Sequence, residues 1–250
     1  MVIGSIHRYI NERRLQAEYT QENFLSFMKS ETYCYSQDYV KNRVKIHGKE
    51  NILDLLSERG AVFAPLHYGS FFLIGGALAS HMNLKSTAIV TYANLTILSK
   101  EDADFWIRVH RRTEKIQGEK LFYAGLNKRS EIVDYLGKPN SVLWAMIDVR
   151  EFGRNPKEYP FTFQDNVVYF QVGAAKLAIL ANAPFIPTCI KYNPENKFHD
   201  LYIGKPIAPT DSPLAMTQLA LDQIGEIIKE DHVQFFHDLN FFSKEKLNDR

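Results

Sequence analysis

Cysteine is scarce and long apolar runs are missing from this chain, and each shortage removes a class of protein. Cys34 and Cys189 are the two cysteines among 250 residues. They lie far apart, without metal-ligand spacing, which excludes a disulfide-dense scaffold or cysteine metal centre and predicts packed thiols in a reducing compartment. No stretch approaches the roughly 20 apolar residues of a spanning helix; the longest, from Gly69 to Met82, is broken by Ser80 and His81. The first ten residues lack a cationic start followed by a long apolar core, so no secretory signal is expected. The expected location is cytoplasmic, either free or peripheral on the inner membrane. Lys and Arg number 30 against 29 Asp and Glu, so no net field points to nucleic acid as a partner. Repeats, low-complexity tracts and linkers are also missing, which predicts a single domain over residues 1–250.

What is present alternates between helical and strand patterns. Residues 5–47 are rich in Glu, Gln, Lys, Arg and aromatics with apolar positions three and four apart, predicting a helical N-terminal segment over residues 1–47. Residues 49–60 read as a short amphipathic helix closed by Gly60. Strands are expected at 61–66, 86–92, 120–123, 141–147, 185–192 and 201–203. Helices are expected at about 71–82, 100–113, 129–136, 172–182 and 213–230. Pro187 places its strand near a sheet edge. An aromatic patch follows at Phe235, Phe236, Phe241 and Phe242. The alternation specifies an α/β fold with a mainly parallel central sheet flanked by helices.

The segment from Gly60 to Gly76 concentrates the chemistry. An apolar strand delivers His67 to the turn Tyr68-Gly69-Ser70, and a helix starts close behind. Open α/β sheets bind ligands at such carboxyl ends, and helix starts present free N–H groups to anions. His67 is the candidate general base, histidine being the residue type suited to that role near neutral pH. Asp148 follows strand 141–147 as His67 follows strand 61–66, so a parallel sheet puts both on one edge, where Asp148 would orient the imidazole or the substrate. Arg150, two residues on, is a candidate phosphate ligand, against the alternative of a solvated loop arginine. Arg129, with Lys128 and the cluster from Arg108 to Arg112, offers further cations for a phosphate or head group, or else solvated helix faces. Ser70 reads as a helix N-cap rather than a nucleophile, because no Gly-x-Ser-x-Gly occurs. The histidines have no metal-ligand spacing, so no metal is expected.

The ordered series Val44-Lys-Ile-His-Gly48, Val62-Phe-Ala-Pro-Leu-His67-Tyr-Gly, Val142-Leu-Trp-Ala-Met-Ile-Asp148, Phe161-Thr-Phe163, Gly173-Ala-Ala-Lys-Leu-Ala178 and Ala183-Pro-Phe-Ile-Pro187 resembles the lysophospholipid acyltransferase superfamily. The branch it is most similar to holds the bacterial lipid A late acyltransferases. The resemblance runs from about Val44 to Phe242 and implies a glycerolipid acyltransferase-like fold. It implies transfer of an acyl group from a carrier-protein or coenzyme A thioester to a hydroxyl or amine, with a glycolipid such as lipid A as acceptor and no bound cofactor. Relatives that move glycine from a carrier protein to lipid A in polymyxin resistance make an aminoacyl donor an alternative.

The family pairs its histidine with a carboxylate five residues later. Here that position is Phe72, and no Asp or Glu occurs between Glu58 and Glu101. Three alternatives follow: Asp148 supplies the partner from a neighbouring strand, the acceptor needs less base strength, or the protein binds a lipid or carrier without catalysis. In the catalytic reading Tyr68, Gly69, Ser70, Phe71 and Phe72 line the substrate site, with N–H groups of Gly69 to Phe71 stabilising the oxyanion.

Overall fold

The computed structural model describes residues 36–91, 100–149, 157–193, 195–229 and 234–235. Helix α1 (Gln37–Arg43) starts on Ser36, whose side chain accepts the Tyr39 N–H, and gives way directly to strand β1 (Val44–His47). A 3-10 turn (Lys49–Asn51) and α2 (Leu53–Glu58) precede β2 (Ala61–Pro65). Next come α3 (Leu73–Met82), β3 (Lys85–Thr91), α4 (Lys100–Gln117), β4 (Phe122–Ala124), α5 (Arg129–Leu136) and β5 (Ser141–Trp144). The hairpin β6 (Tyr159–Phe163) and β7 (Asn166–Phe170) is followed by α6 (Gly173–Leu180), β8 (Phe185–Asn193), β9 (Phe198–Ile203) and α7 (Pro213–Ile228). Among the described residues no helix is long and apolar enough to cross a membrane.

The seven-stranded sheet has the order β1-β9-β8-β2-β5-β3-β4. Every pairing is parallel except β8 with β9, so the fold is α/β with a mainly parallel central sheet flanked by helices. Strand β2 sits between β8 and β5, and all five of its residues are buried. Burial on both faces explains why its sequence is a continuous apolar run rather than an alternating one. On one face α6, α7 and the hairpin cover the sheet, with Ala178, Ala220, Leu221 and Phe170 in the core. On the other, α1, α3 and α4 pack over Phe63, Val142 and Ile186. Small residues let α3 approach closely: a side chain at Gly75 would strike Gln117 and Trp144, and one at Gly76 would strike Ile116.

Four expectations need correction. The described part of the N-terminal segment is not wholly helical, because Val44–His47 pairs with His199–Tyr202 as an edge strand. Gly60 does not close α2 in a left-handed conformation. The helix ends on Arg59 in an extended conformation, and Gly60 is small because the backbones of Leu136 and Ser141 press against it. Pro187 lies in an interior strand, not near an edge. Its carbonyl accepts the Gly204 N–H just where the β8–β9 ladder ends at Thr188 and Ile203, so its missing N–H interrupts no ladder bond. Ser70 does not cap a helix, since Phe72 occupies the N-cap position of α3 without a side-chain bond.

Candidate functional site

Strands β2 and β5 are parallel neighbours, and their hydrogen bonding continues past the regular strands through Ala145 N–H to the Phe63 carbonyl and Ile147 N–H to the Pro65 carbonyl. The two chains therefore leave the sheet side by side, carrying His67 and Asp148 to the same edge. There the carboxylate holds the histidine at two points. One oxygen of Asp148 accepts the His67 backbone N–H and the other meets ring Nδ1, each at 2.8 Å. A neutral imidazole that donates through Nδ1 carries its lone pair on Nε2. The Asp148 side chain is 1% exposed while that of His67 is 24% exposed, so the carboxylate is sealed behind a ring that solvent reaches. Phe71 packs edge-on against the ring, with centroids 4.9 Å apart and planes at 81°. The imidazole is thus fixed in tautomer by Asp148 and in orientation by Asp148 and Phe71 together.

The remaining candidates separate by position. Tyr68 is 1% exposed and belongs to the core, where it pairs with Phe235 through a β-bridge and an edge-on ring contact. Gly69 has φ +53°, and a side chain there would collide with the Ile190 carbonyl. Its N–H donates to the Gln234 carbonyl at 2.8 Å, which removes it from the expected set of oxyanion donors. Ser70 is 1% exposed. Phe72 stacks with Phe71 at 4.1 Å and approaches Trp106 at 6.1 Å, and Trp106 in turn lies 6.2 Å from His110. An aromatic wall therefore begins at the imidazole and runs along α4. Burial pushes the His110 imidazole down to about 4, so it is neutral at physiological pH, and Tyr123 Oη meets its Nδ1 at 3.4 Å.

Arg129 opens α5 and is exposed, on the connection that follows β4. Since β4 is three strands from β2 at roughly 4.8 Å per strand, the cation does not adjoin His67. Arg108, Arg111, Arg112 and Lys128 are likewise exposed. Arg150, Phe236, Phe241 and Phe242 lie outside the described residues. Among the described residues no group of three or more His, Cys, Asp or Glu side chains is placed to hold a metal ion.

One contributor had no signal in the sequence. Gln234 is 2% exposed and reaches both the His67 loop and Tyr192 in β8. A lone glutamine before two phenylalanines has nothing to distinguish it from a surface residue. No family model matches the sequence, and no curated protein matches it at a significant level.

Proposed function

We propose that this chain is an acyl- or aminoacyltransferase that takes its group from a carrier-protein or coenzyme A thioester and delivers it to a hydroxyl or amine. The observation carrying this reading is the twofold grip of buried Asp148 on the backbone and Nδ1 of the partly exposed His67. That arrangement answers the missing carboxylate at Phe72: the partner that a histidine base needs comes from the segment leaving β5 instead of the following helix.

In the proposed reaction, His67 Nε2 takes the proton from the acceptor as its oxygen or nitrogen attacks the thioester carbonyl carbon. The tetrahedral intermediate collapses with breakage of the C–S bond, and the imidazolium returns the proton to the departing thiolate. Asp148 stabilises the imidazolium without itself taking the proton. The thioester is already activated, so the residues need only supply base catalysis and positioning. Phe71, Phe72 and Trp106 offer an apolar surface beside the imidazole for the transferred group. The favoured acceptor is a lipid A-like glycolipid approached from the membrane surface, with glycine as the alternative transferred group.

The test is thiol release from acyl- and aminoacyl-carrier proteins and acyl-coenzyme A, with and without a glycolipid acceptor. Acceptor-stimulated release by wild type, lost in His67→Ala, is expected. Saturable carrier binding with no release across the panel would favour a non-catalytic binding protein.

A further inference from the structure

Strand β2 ends at Pro65 opposite Thr188, but β8 continues to Asn193, so beyond Thr188 the β8 backbone has lost its β2 neighbour. Two consequences of that mismatch meet at Gln234. The Tyr192 N–H donates to Gln234 Oε1 at 2.7 Å, and Gln234 Nε2 donates to the Tyr192 carbonyl at 2.9 Å. The carboxamide thereby takes the place of a peptide group from the missing strand. The same residue's main-chain carbonyl accepts the Gly69 N–H, and the next residue, Phe235, packs on Tyr68. One buried glutamine thus ties the loop carrying His67 to a strand anchored on both β9 and β2.

We infer that Gln234 is a positioning residue for His67: it locks Gly69 into its left-handed turn and so holds the imidazole on Asp148. The inference rests on the reading of His67 as the base, but its physical content is the state of the ring. With the Tyr68–Gly69 turn released, the backbone of His67 is no longer fixed from its C-terminal side. The two bonds to Asp148 then compete with solvent, and Nδ1 ceases to be the obligatory donor.

Long-range proton–nitrogen NMR of the histidine rings tests this without any substrate, with His67 assigned by loss of its signals in His67→Ala. Wild type should show His67 as a single Nδ1–H tautomer. In Gln234→Met, which keeps the side-chain length but neither bond to Tyr192, the ring should shift toward a tautomer mixture. Gln234→Glu retains the acceptor for the Tyr192 N–H and should lie between them if Gln234→Met folds poorly. Ile224→Val, at a fully buried position of α7, supplies a destabilised control that should keep the wild-type tautomer. Where transfer is measurable, Gln234→Met should lower kcat on the order of tenfold or more with KM little changed, as expected for misplacement of a reacting group. An unchanged Nδ1–H tautomer in both glutamine variants, or an equal change in Ile224→Val, would overturn the assignment. Failure of wild type to transfer from any donor would remove the transferase reading and leave the tautomer comparison to decide the role of Gln234.

Discussion

At the residue scale the proposed chemistry divides between the two nitrogens of one histidine. Nδ1 is committed to Asp148, and the proposed base is Nε2. Replacing Asp148 with Asn offers Nδ1 an amide instead of a carboxylate, which favours the wrong tautomer and leaves an imidazolium unsupported. Asp148→Asn is therefore expected to lower kcat about a hundredfold or more while the chain stays folded, with initial-rate kinetics and circular dichroism as the checks. His67 was legible because an apolar strand delivers it to a Gly-Ser turn. Asp148 was legible because it ends a second such strand, and parallel strands deliver their ends to one edge. Gln234 was not, because its role arises from the unequal lengths of β2 and β8, a property of the assembled sheet. Tyr68 and the Gly69 N–H looked available in the sequence only because their partners, Phe235 and Gln234, are more than 160 residues further along.

The turn and strand elements show how the same residue type serves two ends. A side chain at Gly60 would press on the backbones of Ser141 and Leu136 at the start of β2, whereas one at Gly69 would strike Ile190 at the far end and impose a left-handed strain as well. Gly60→Ala should cost on the order of 1–3 kcal/mol in urea unfolding yet leave kcat of the folded fraction near wild type. Gly69→Ala should cost at least as much, on the order of 1–3 kcal/mol from strain alone, and should also lower kcat. Elements with a local periodicity and a clear stop were readable, as with α5 over Arg129–Leu136, which Gly137 ends. Strand β1 was not, since four residues following a helix carry too short an alternation, and their partner β9 is remote in sequence. The β6–β7 hairpin turns on Gln164 and Asp165 in left-handed conformations, a job that Asn-Gly would have announced.

For the whole molecule, strand–helix alternation sufficed to indicate a parallel sheet because crossover connections demand it. It gave no means of placing Pro187 in the interior, where only the end of the β9 ladder makes room for it. The assembled core also buries two histidines, His110 and His199, for which only the lack of metal-ligand spacing was noted above. His199 is fully buried with Nε2 on the Tyr39 hydroxyl and, among the described residues, no hydrogen-bond partner for Nδ1, and burial pushes its pKa down to about 3. The unfolded chain takes up this proton near 6.5 and the folded chain only near 3, so the unfolded state binds more protons between those values. Stability is then intact above about pH 6.5 and falls as the pH drops toward 3. His110 acts in the same direction down to about 4. Urea unfolding from pH 7 to pH 4.5 should show a shallower loss in His199→Gln than in wild type.

In the proposed thioester transfer His67 and Asp148 act as one unit. The most direct measurement is a double-mutant cycle on acceptor-stimulated thiol release, comparing wild type, His67→Ala, Asp148→Asn and the double variant. His67→Ala alone should lose on the order of 10²- to 10⁴-fold, and adding Asp148→Asn should make little further difference. Full activity in His67→Ala, or losses that simply multiply in the double variant, would contradict it.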